Sequence, residues 1–210
     1  MIIASIWDNI NERLPDNISV ISWNYDYQLE LAFSDYMDNG KLSIIQTILN
    51  NTSKNRVTNS FMGNIFNIVK LNGSALFADR DINRLLDPLD FQGDKIDYIC
   101  NIVANAHINM INLLSFSWER LEDPFVEQII SSVSSAETVV VIGYSFPFFN
   151  RKVDRLVFDN MKSLKKIYVQ DMRPNNIAES IRNLLTDEQK KHITIEPRMN
   201  LDQFYLPPEL

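Results

Sequence analysis

The chain has very few of the residues that build disulfide-linked or zinc-bound folds. Among its 210 residues are one cysteine, Cys100, and two histidines, His107 and His192. A single cysteine cannot close an internal disulfide, and these three residues lack the spacing of a Cys/His zinc site. The sequence therefore predicts no metal and no internal disulfide.

Positive charge and long apolar runs are also scarce. The chain carries 20 Lys and Arg against 27 Asp and Glu, a formal net charge of −7. A nucleic-acid groove needs a concentrated positive patch, and the short basic pairs at 165–166 and 190–191 do not supply one. No apolar run reaches the length of a membrane span, and no basic segment with a cleavage site follows Met1. We expect no nucleic-acid partner, no membrane partner and a cytoplasmic location.

Glycine is the third scarce residue. Only five glycines are present, and the first is Gly40. Backbone nests that bind phosphate depend on glycine-rich turns at the start of a helix. No such nest can be identified in the part of the sequence that precedes Gly40.

What remains is an ordinary globular composition, with 45% hydrophobic and 22% charged residues. We find no repeat, no low-complexity tract and no linker, which predicts a single domain over residues 1–210. The most regular stretch is the β-branched run at 138–142, which does not alternate polar with apolar residues. Such a run predicts a central strand that is covered on both faces.

Strand-like and helix-like segments alternate along the chain. This alternation predicts an α/β fold with a Rossmann-like, mostly parallel sheet and helices on both faces. We also expect a polar loop at 50–60, an insertion at 78–97 and a tail that packs along the outside. The predicted strands are 18–22, part of 61–71, 138–142, 166–170 and 193–195, and the predicted helices are 2–14, 27–37, 42–49, 96–114, 124–133, 148–161 and 176–185.

Polar or small residues follow four of the predicted strands. In open α/β sheets the carboxyl ends of the strands face the ligand crevice, so these positions predict a small-molecule site on one rim of the sheet. The alternative is a set of ordinary loops and helix caps. The residues are Asn24 and Asp26, then Asn72, Gly73 and Ser74, then Gly143, Tyr144 and Ser145, and finally Asp171.

The order of these strand-end motifs resembles the sirtuin-like domain. The motifs read ISWNYD, VKLNGS, VVVIGYSFP and IYVQD, and the resemblance runs from about residue 18 to residue 174. The likeness is closer to bacterial members that hydrolyse NAD, many of them in anti-phage defence, than to protein deacetylases. It implies NAD or an ADP-ribose-type nucleotide as ligand or substrate.

The resemblance also implies roles for the first motif. Asn24 matches the asparagine beside the nicotinamide ribose, which helps to place water or the scissile bond. Asp26 matches an acidic residue that could orient Asn24 or stabilise positive charge on the ribose during cleavage. The structural alternative for both residues is an Asx-type cap at the start of a helix.

The later motifs match cofactor-binding positions. Gly143 and Ser145 match residues that approach the ribose and phosphates, and Tyr144 lies between them. Gly73 and Ser74 follow the second strand in the same way. Asp171 matches a group near the adenine ribose, where a carboxylate can accept two hydroxyl hydrogen bonds. The alternative for Asp171 is a turn before Pro174.

Two departures from the family pattern weaken the expectation of catalysis. The family has histidine as its general base where this chain has Asn72, and an amide does not titrate. Since a positioned base contributes roughly 10²–10⁴-fold, we expect slow or no turnover. The family's glycine-rich loop and the zinc module of deacetylases are also missing. We expect an N-terminally incomplete domain or an incomplete site, and no acyl-lysine removal.

Three hypotheses therefore stand. The leading one is a degenerate or partial sirtuin-like domain that binds NAD or ADP-ribose with weak or no catalysis. The first alternative is an active NAD glycohydrolase in which another residue replaces histidine. The second is an interaction or assembly module, with another copy or another subunit as partner and with Phe146, Phe148 and Phe149 as candidate surface residues. The alternative for these three rings, which we favour, is packing under the sheet.

Overall fold

The protein has the α/β, Rossmann-like fold that the alternation of elements predicts. The computed structural model describes residues 3, 6–7, 14–36, 42–53, 66–79, 85–86, 97, 100, 104, 110–116, 119 and 123–209. The chain divides into two compact units. We call residues 20–116 the middle unit, and residues 117–210 together with 1–19 the C-terminal unit. The single domain over 1–210 stays a prediction.

The middle unit contains a three-stranded sheet in the order β1-β3-β2. Strand β3 is buried along its whole length and pairs with β2 in parallel, with Asn51 opposite Ile68. The predicted strand at 18–22 and the predicted helices at 27–37 and 42–49 are confirmed where the structure describes them. The elements are β1 (Ser19–Ser22), α1 (Gln28–Ser34), α2 (Leu42–Ile48), β2 (Asn51–Ser53) and β3 (Asn67–Lys70).

A second sheet in the middle unit is antiparallel. It consists of β4 (Gly73–Asp79), β5 (Leu85–Leu86) and β6 (Met110–Leu114), in the order β5-β4-β6. The helix predicted for 96–114 is wrong at β6, because a short apolar run fits either element and here pairing with β4 decides. The loop predicted for 50–60 is likewise wrong at β2.

Several expectations fall mainly on residues outside the described set. These are the helix at 2–14, the remainder of the polar loop at 54–60 and most of the insertion at 78–97.

The C-terminal unit is built around a parallel sheet in the order β7-β8-β9. Its strand ends are in register, with Ile142 opposite Gln170 and Gln170 opposite Arg198. Most elements lie close to their predicted positions. They are α3 (Asp123–Val133), β7 (Thr138–Ile142), α4 (Arg151–Asn160), β8 (Lys166–Gln170), α5 (Pro174–Arg182), α6 (Gln189–His192) and β9 (Thr194–Arg198).

The central strand of this described sheet is β8, so the prediction that β7 is central is wrong here. Four of the five residues of β8 are buried, whereas β7 buries only Val141 fully. A β-branched run fits any pleated strand and does not by itself specify a position in the sheet. The described helices include none that is both long and apolar enough to cross a bilayer.

Candidate functional site

In the middle unit, the ends of β1 and β3 lie side by side. The Leu71 amide donates a hydrogen bond to the carbonyl oxygen of Ser22 at 2.9 Å. One residue further along each segment, the Asn72 side-chain amide Nδ2 donates to the carbonyl oxygen of Trp23 at 2.7 Å. The fold therefore brings the ISWNYD and VKLNGS motifs together, as the strand-end argument predicts.

Asn72 is oriented by this bond and has acceptor capacity to spare. Its side-chain oxygen, Oδ1, is buried and accepts no hydrogen bond within the described part of the chain. A buried acceptor without a donor costs about 1–3 kcal/mol, so such atoms are rare and require an explanation. The arrangement can hold and orient a donor group, but a side-chain amide cannot act as a general base near neutral pH.

Asn24 and Asp26 lie in the loop that follows β1. The Asn24 amide donates to the hydroxyl oxygen of Ser22 at 3.1 Å, and its side chain is exposed. Asp26 Oδ1 accepts a hydrogen bond from the Gln28 amide at 3.2 Å, an Asx-type turn that leads into α1. The N-cap of α1 itself is Tyr27, which has no side-chain cap hydrogen bond, so Asp26 forms the turn before the helix and not its cap. The catalytic roles of both residues stay predictions.

Gly73 and Ser74 have a packing role in this unit. Gly73 has a φ of +71°, and a Cβ there would lie 2.0 Å from the Leu113 carbonyl oxygen and 2.8 Å from the Ser115 nitrogen. The close approach of the segment around Leu113 therefore accounts for the glycine. Ser74, the next residue in the sequence, is also buried. Binding of a nucleotide by these two residues stays a prediction.

Sequence reasoning missed a buried polar cluster beside these strand ends. Lys70 Nζ lies 2.7 Å from Glu30 Oε1 and also donates to the carbonyl oxygen of Asp26. Glu30 Oε1 accepts from Asn51 Nδ2 at 2.5 Å and from Gln46 Nε2 at 3.4 Å. The available signal was a lysine that ends a buried strand and a glutamate inside an apolar helix.

In the C-terminal unit, β7 ends at an open backbone position. Gly143 has a φ of +63°, and apart from its own chain neighbours no atom of the described residues lies within 4 Å of where its Cβ would be. Its amide donates to the Gln170 carbonyl oxygen at 3.3 Å, and Ser145 is exposed. Three residues after Gly143, Phe146 has a φ of +53°, which is strained for an aromatic residue.

Asp171 takes the turn role at the end of β8. Its Oδ1 accepts from the Arg173 amide at 2.8 Å, just before Pro174 begins α5. The neighbouring Gln170 uses its side chain to hold the tail. Its Nε2 donates to the carbonyl oxygens of Asn200 and Gln203, each at 2.6 Å. A ribose contact at Asp171 stays a prediction.

Tyr144 belongs to a second cluster that sequence reasoning missed. Its hydroxyl donates to Asp154 Oδ1 at 3.0 Å and accepts from Asn150 Nδ2 at 3.0 Å. Burial raises the pKa of Asp154 to about 7, although the Tyr144 hydrogen bond and the Arg151 charge oppose the shift. Burial, and then the Asp154 charge, raise the pKa of Tyr144 far above its ordinary range. A carboxyl group that titrates near neutral pH can both accept and donate a proton there.

The two units thus divide the candidate residues. Asn24, Asp26, Asn72, Gly73 and Ser74 belong to the middle unit, whereas the motif residues from Gly143 onward belong to the C-terminal unit. The single rim expected for all of them stays a prediction. Among the described residues, no group of three or more His, Cys, Asp or Glu side chains could hold a metal ion.

Comparison with protein families and with curated proteins gives no match for this chain.

Proposed function

We propose that this chain is a degenerate sirtuin-like module that binds NAD or an ADP-ribose-type nucleotide and turns NAD over slowly or not at all. The observation that carries the proposal is the buried Asn72 Oδ1, which accepts no hydrogen bond from the residues that the structure describes, while Nδ2 is bonded to Trp23. A ribose hydroxyl is a donor of the right kind for this oxygen.

The position of this asparagine supports the same ligand class. It follows a buried parallel strand, and its neighbour across the strand ends is the loop that carries the exposed Asn24. Carboxyl ends of strands in α/β sheets are the usual place for nucleotide ligands. Weak catalysis follows from the chemistry of the amide, which cannot act as a proton acceptor at neutral pH.

Calorimetric titration with NAD and ADP-ribose tests the proposal. We expect the wild-type chain to bind at least one of them, and Asn72→Ala to weaken binding about tenfold, the effect of losing roughly one hydrogen bond. Asn183→Ala, which changes an exposed asparagine after α5, is the matched control and should bind as the wild type does. Absence of binding at millimolar ligand would refute the proposal.

An active NAD glycohydrolase is the second candidate. In this candidate a residue other than Asn72 would serve as the general base. A chromatographic assay for nicotinamide release separates the two candidates. Robust turnover by the wild-type chain, lost in Asn24→Ala without unfolding, would favour the glycohydrolase. Turnover that rises only in Asn72→His would favour the degenerate module.

A further inference from the structure

The Lys70–Glu30 pair of the middle unit is enclosed almost completely. Glu30 is 0% exposed and Lys70 is 1% exposed. Removing two charges from water costs several kcal/mol per ion, and a well-packed apolar pair of similar volume is often as stable or more so. Stability alone is therefore a poor explanation for an ion pair at this position.

The lysine ammonium group makes two polar contacts that an apolar side chain cannot make. Its ammonium group contacts Glu30 Oε1 and donates to the backbone carbonyl of Asp26, in the loop after β1. Lys70 also stands two residues before Asn72 in the sequence. One side chain thus connects the end of β3 to the loop that carries Asn24 and Asp26.

The glutamate is itself held in place from two other elements. Asn51 of β2 and Gln46 of α2 both donate to Oε1, the oxygen that receives Lys70. With its carboxylate fixed, Glu30 limits where the ammonium group can lie. The direction of the Lys70 side chain is therefore set by α1, α2 and β2 together.

We propose that Lys70 and Glu30 are positioning residues that fix residues 23–26 against the end of β3 and so place Asn24 beside Asn72 for a nucleotide ligand. That the ligand is a nucleotide rests on the proposed function. The positioning itself does not, since it concerns only contacts within the middle unit.

Two backbone amides make the positioning measurable. The Ala75 amide donates to the Tyr25 carbonyl, inside the loop, at 2.7 Å. The Leu71 amide donates to the Ser22 carbonyl, at the end of β1, at 2.9 Å. Loosening of the loop alone should expose the Ala75 amide to hydrogen exchange and leave the Leu71 amide protected.

Hydrogen exchange by NMR in Lys70→Met/Glu30→Gln is the test. We expect protection of the Ala75 amide to fall about tenfold or more while that of Leu71 changes little, since local opening is not global unfolding. Lys165→Met/Glu137→Gln, which removes an exposed ion pair, is the matched control and should change neither amide. Unchanged Ala75 protection, or an equal fall at both amides, would overturn the positioning role.

A milder variant and an affinity measurement complete the test. If the double variant does not fold, the single variant Glu30→Gln replaces it, because it weakens the ion pair but keeps a hydrogen-bonding oxygen. Protection of the Ala75 amide should still fall more than that of the Leu71 amide. An equal fall at both amides would overturn the proposal. Where the wild type binds ADP-ribose, the loosened variant should bind about tenfold more weakly, and unchanged affinity would overturn the link to the ligand. A wild type that binds no nucleotide refutes the proposed function and that link, while the exchange result still decides the positioning.

Discussion

Glu30 in the middle unit and Asp154 in the C-terminal unit are both buried carboxyl groups, 0% and 3% exposed, but their partners differ. Glu30 faces the ammonium group of Lys70 at 2.7 Å, a full opposite charge. Asp154 instead accepts a hydrogen bond from the Tyr144 hydroxyl, a neutral donor, with Arg151 contributing at a distance. Burial alone therefore does not determine what an acidic side chain does in this protein.

The partner determines which property results. A charge held by an opposite charge and by two amides becomes a rigid attachment point, as at Glu30. Burial raises the pKa of the Asp154 carboxyl from 3.8 to about 7, because the Tyr144 hydrogen bond and the Arg151 charge, which both lower it, only partly offset the loss of water. The first arrangement sets the position of a loop, and the second makes the region around Tyr144 sensitive to pH.

The largest effect that separates the two carboxyl groups should follow from Lys70→Met. This change leaves Glu30 buried without its opposite charge, and we expect the free energy of unfolding to fall by about 3–5 kcal/mol. Urea denaturation at neutral pH measures the loss. The added change Glu30→Gln should recover a large part of it, and a double variant as unstable as the single one would contradict the charge-pair explanation.

The second prediction concerns the pH dependence of Asp154. The folded protein holds the Asp154 proton up to about pH 7, whereas the unfolded chain releases it near 3.8, so this group's contribution to stability falls as pH rises between those values. Asp154→Asn removes that loss and keeps an acceptor for Tyr144. We expect the variant to gain about 2 kcal/mol relative to wild type between pH 5 and pH 8.

Unfolding curves at several pH values check this expectation. Asp159→Asn, an exposed position on the same helix α4, is the control and should show no such trend. A constant difference between Asp154→Asn and wild type from pH 5 to pH 8 would contradict the raised pKa of Asp154.

The sequence predicted the fold better than it predicted these contacts. Runs of β-branched and apolar residues located β1, β7 and β8, because side-chain shape and burial act locally. The strand Asn51–Ser53 was missed because three polar residues carry no strand signal of their own. All three residues are buried in the structure, and the Asn51 side chain donates a hydrogen bond to Glu30. Its structure depends on partners that are distant in the chain.

The candidate site shows the same limit. Asn24 and Asn72 could be chosen because strand ends are recognisable in the sequence, and their motifs do lie together in the middle unit. Lys70 and Asp154 were not chosen, and the lysine at the end of a buried strand was a signal that did not name its partner. Their importance lies in the pairs they form, with Glu30 and Tyr144, and a single sequence does not state which residues will meet.

The smallest effect should come from the exposed pair Lys165–Glu137, which has nearly the same geometry as Lys70–Glu30. The two nitrogen–oxygen distances are 2.6 Å and 2.7 Å, but the side chains are 68% and 61% exposed in one pair and 2% and 0% in the other. We expect Lys165→Met to cost about 0.5 kcal/mol or less and the cost to shrink in high salt, because water and ions screen an exposed pair. Urea unfolding at low and high salt measures it. If Lys165→Met cost as much as Lys70→Met, burial would not be the reason that Lys70 matters, and the contrast between the two carboxyl groups would need another cause.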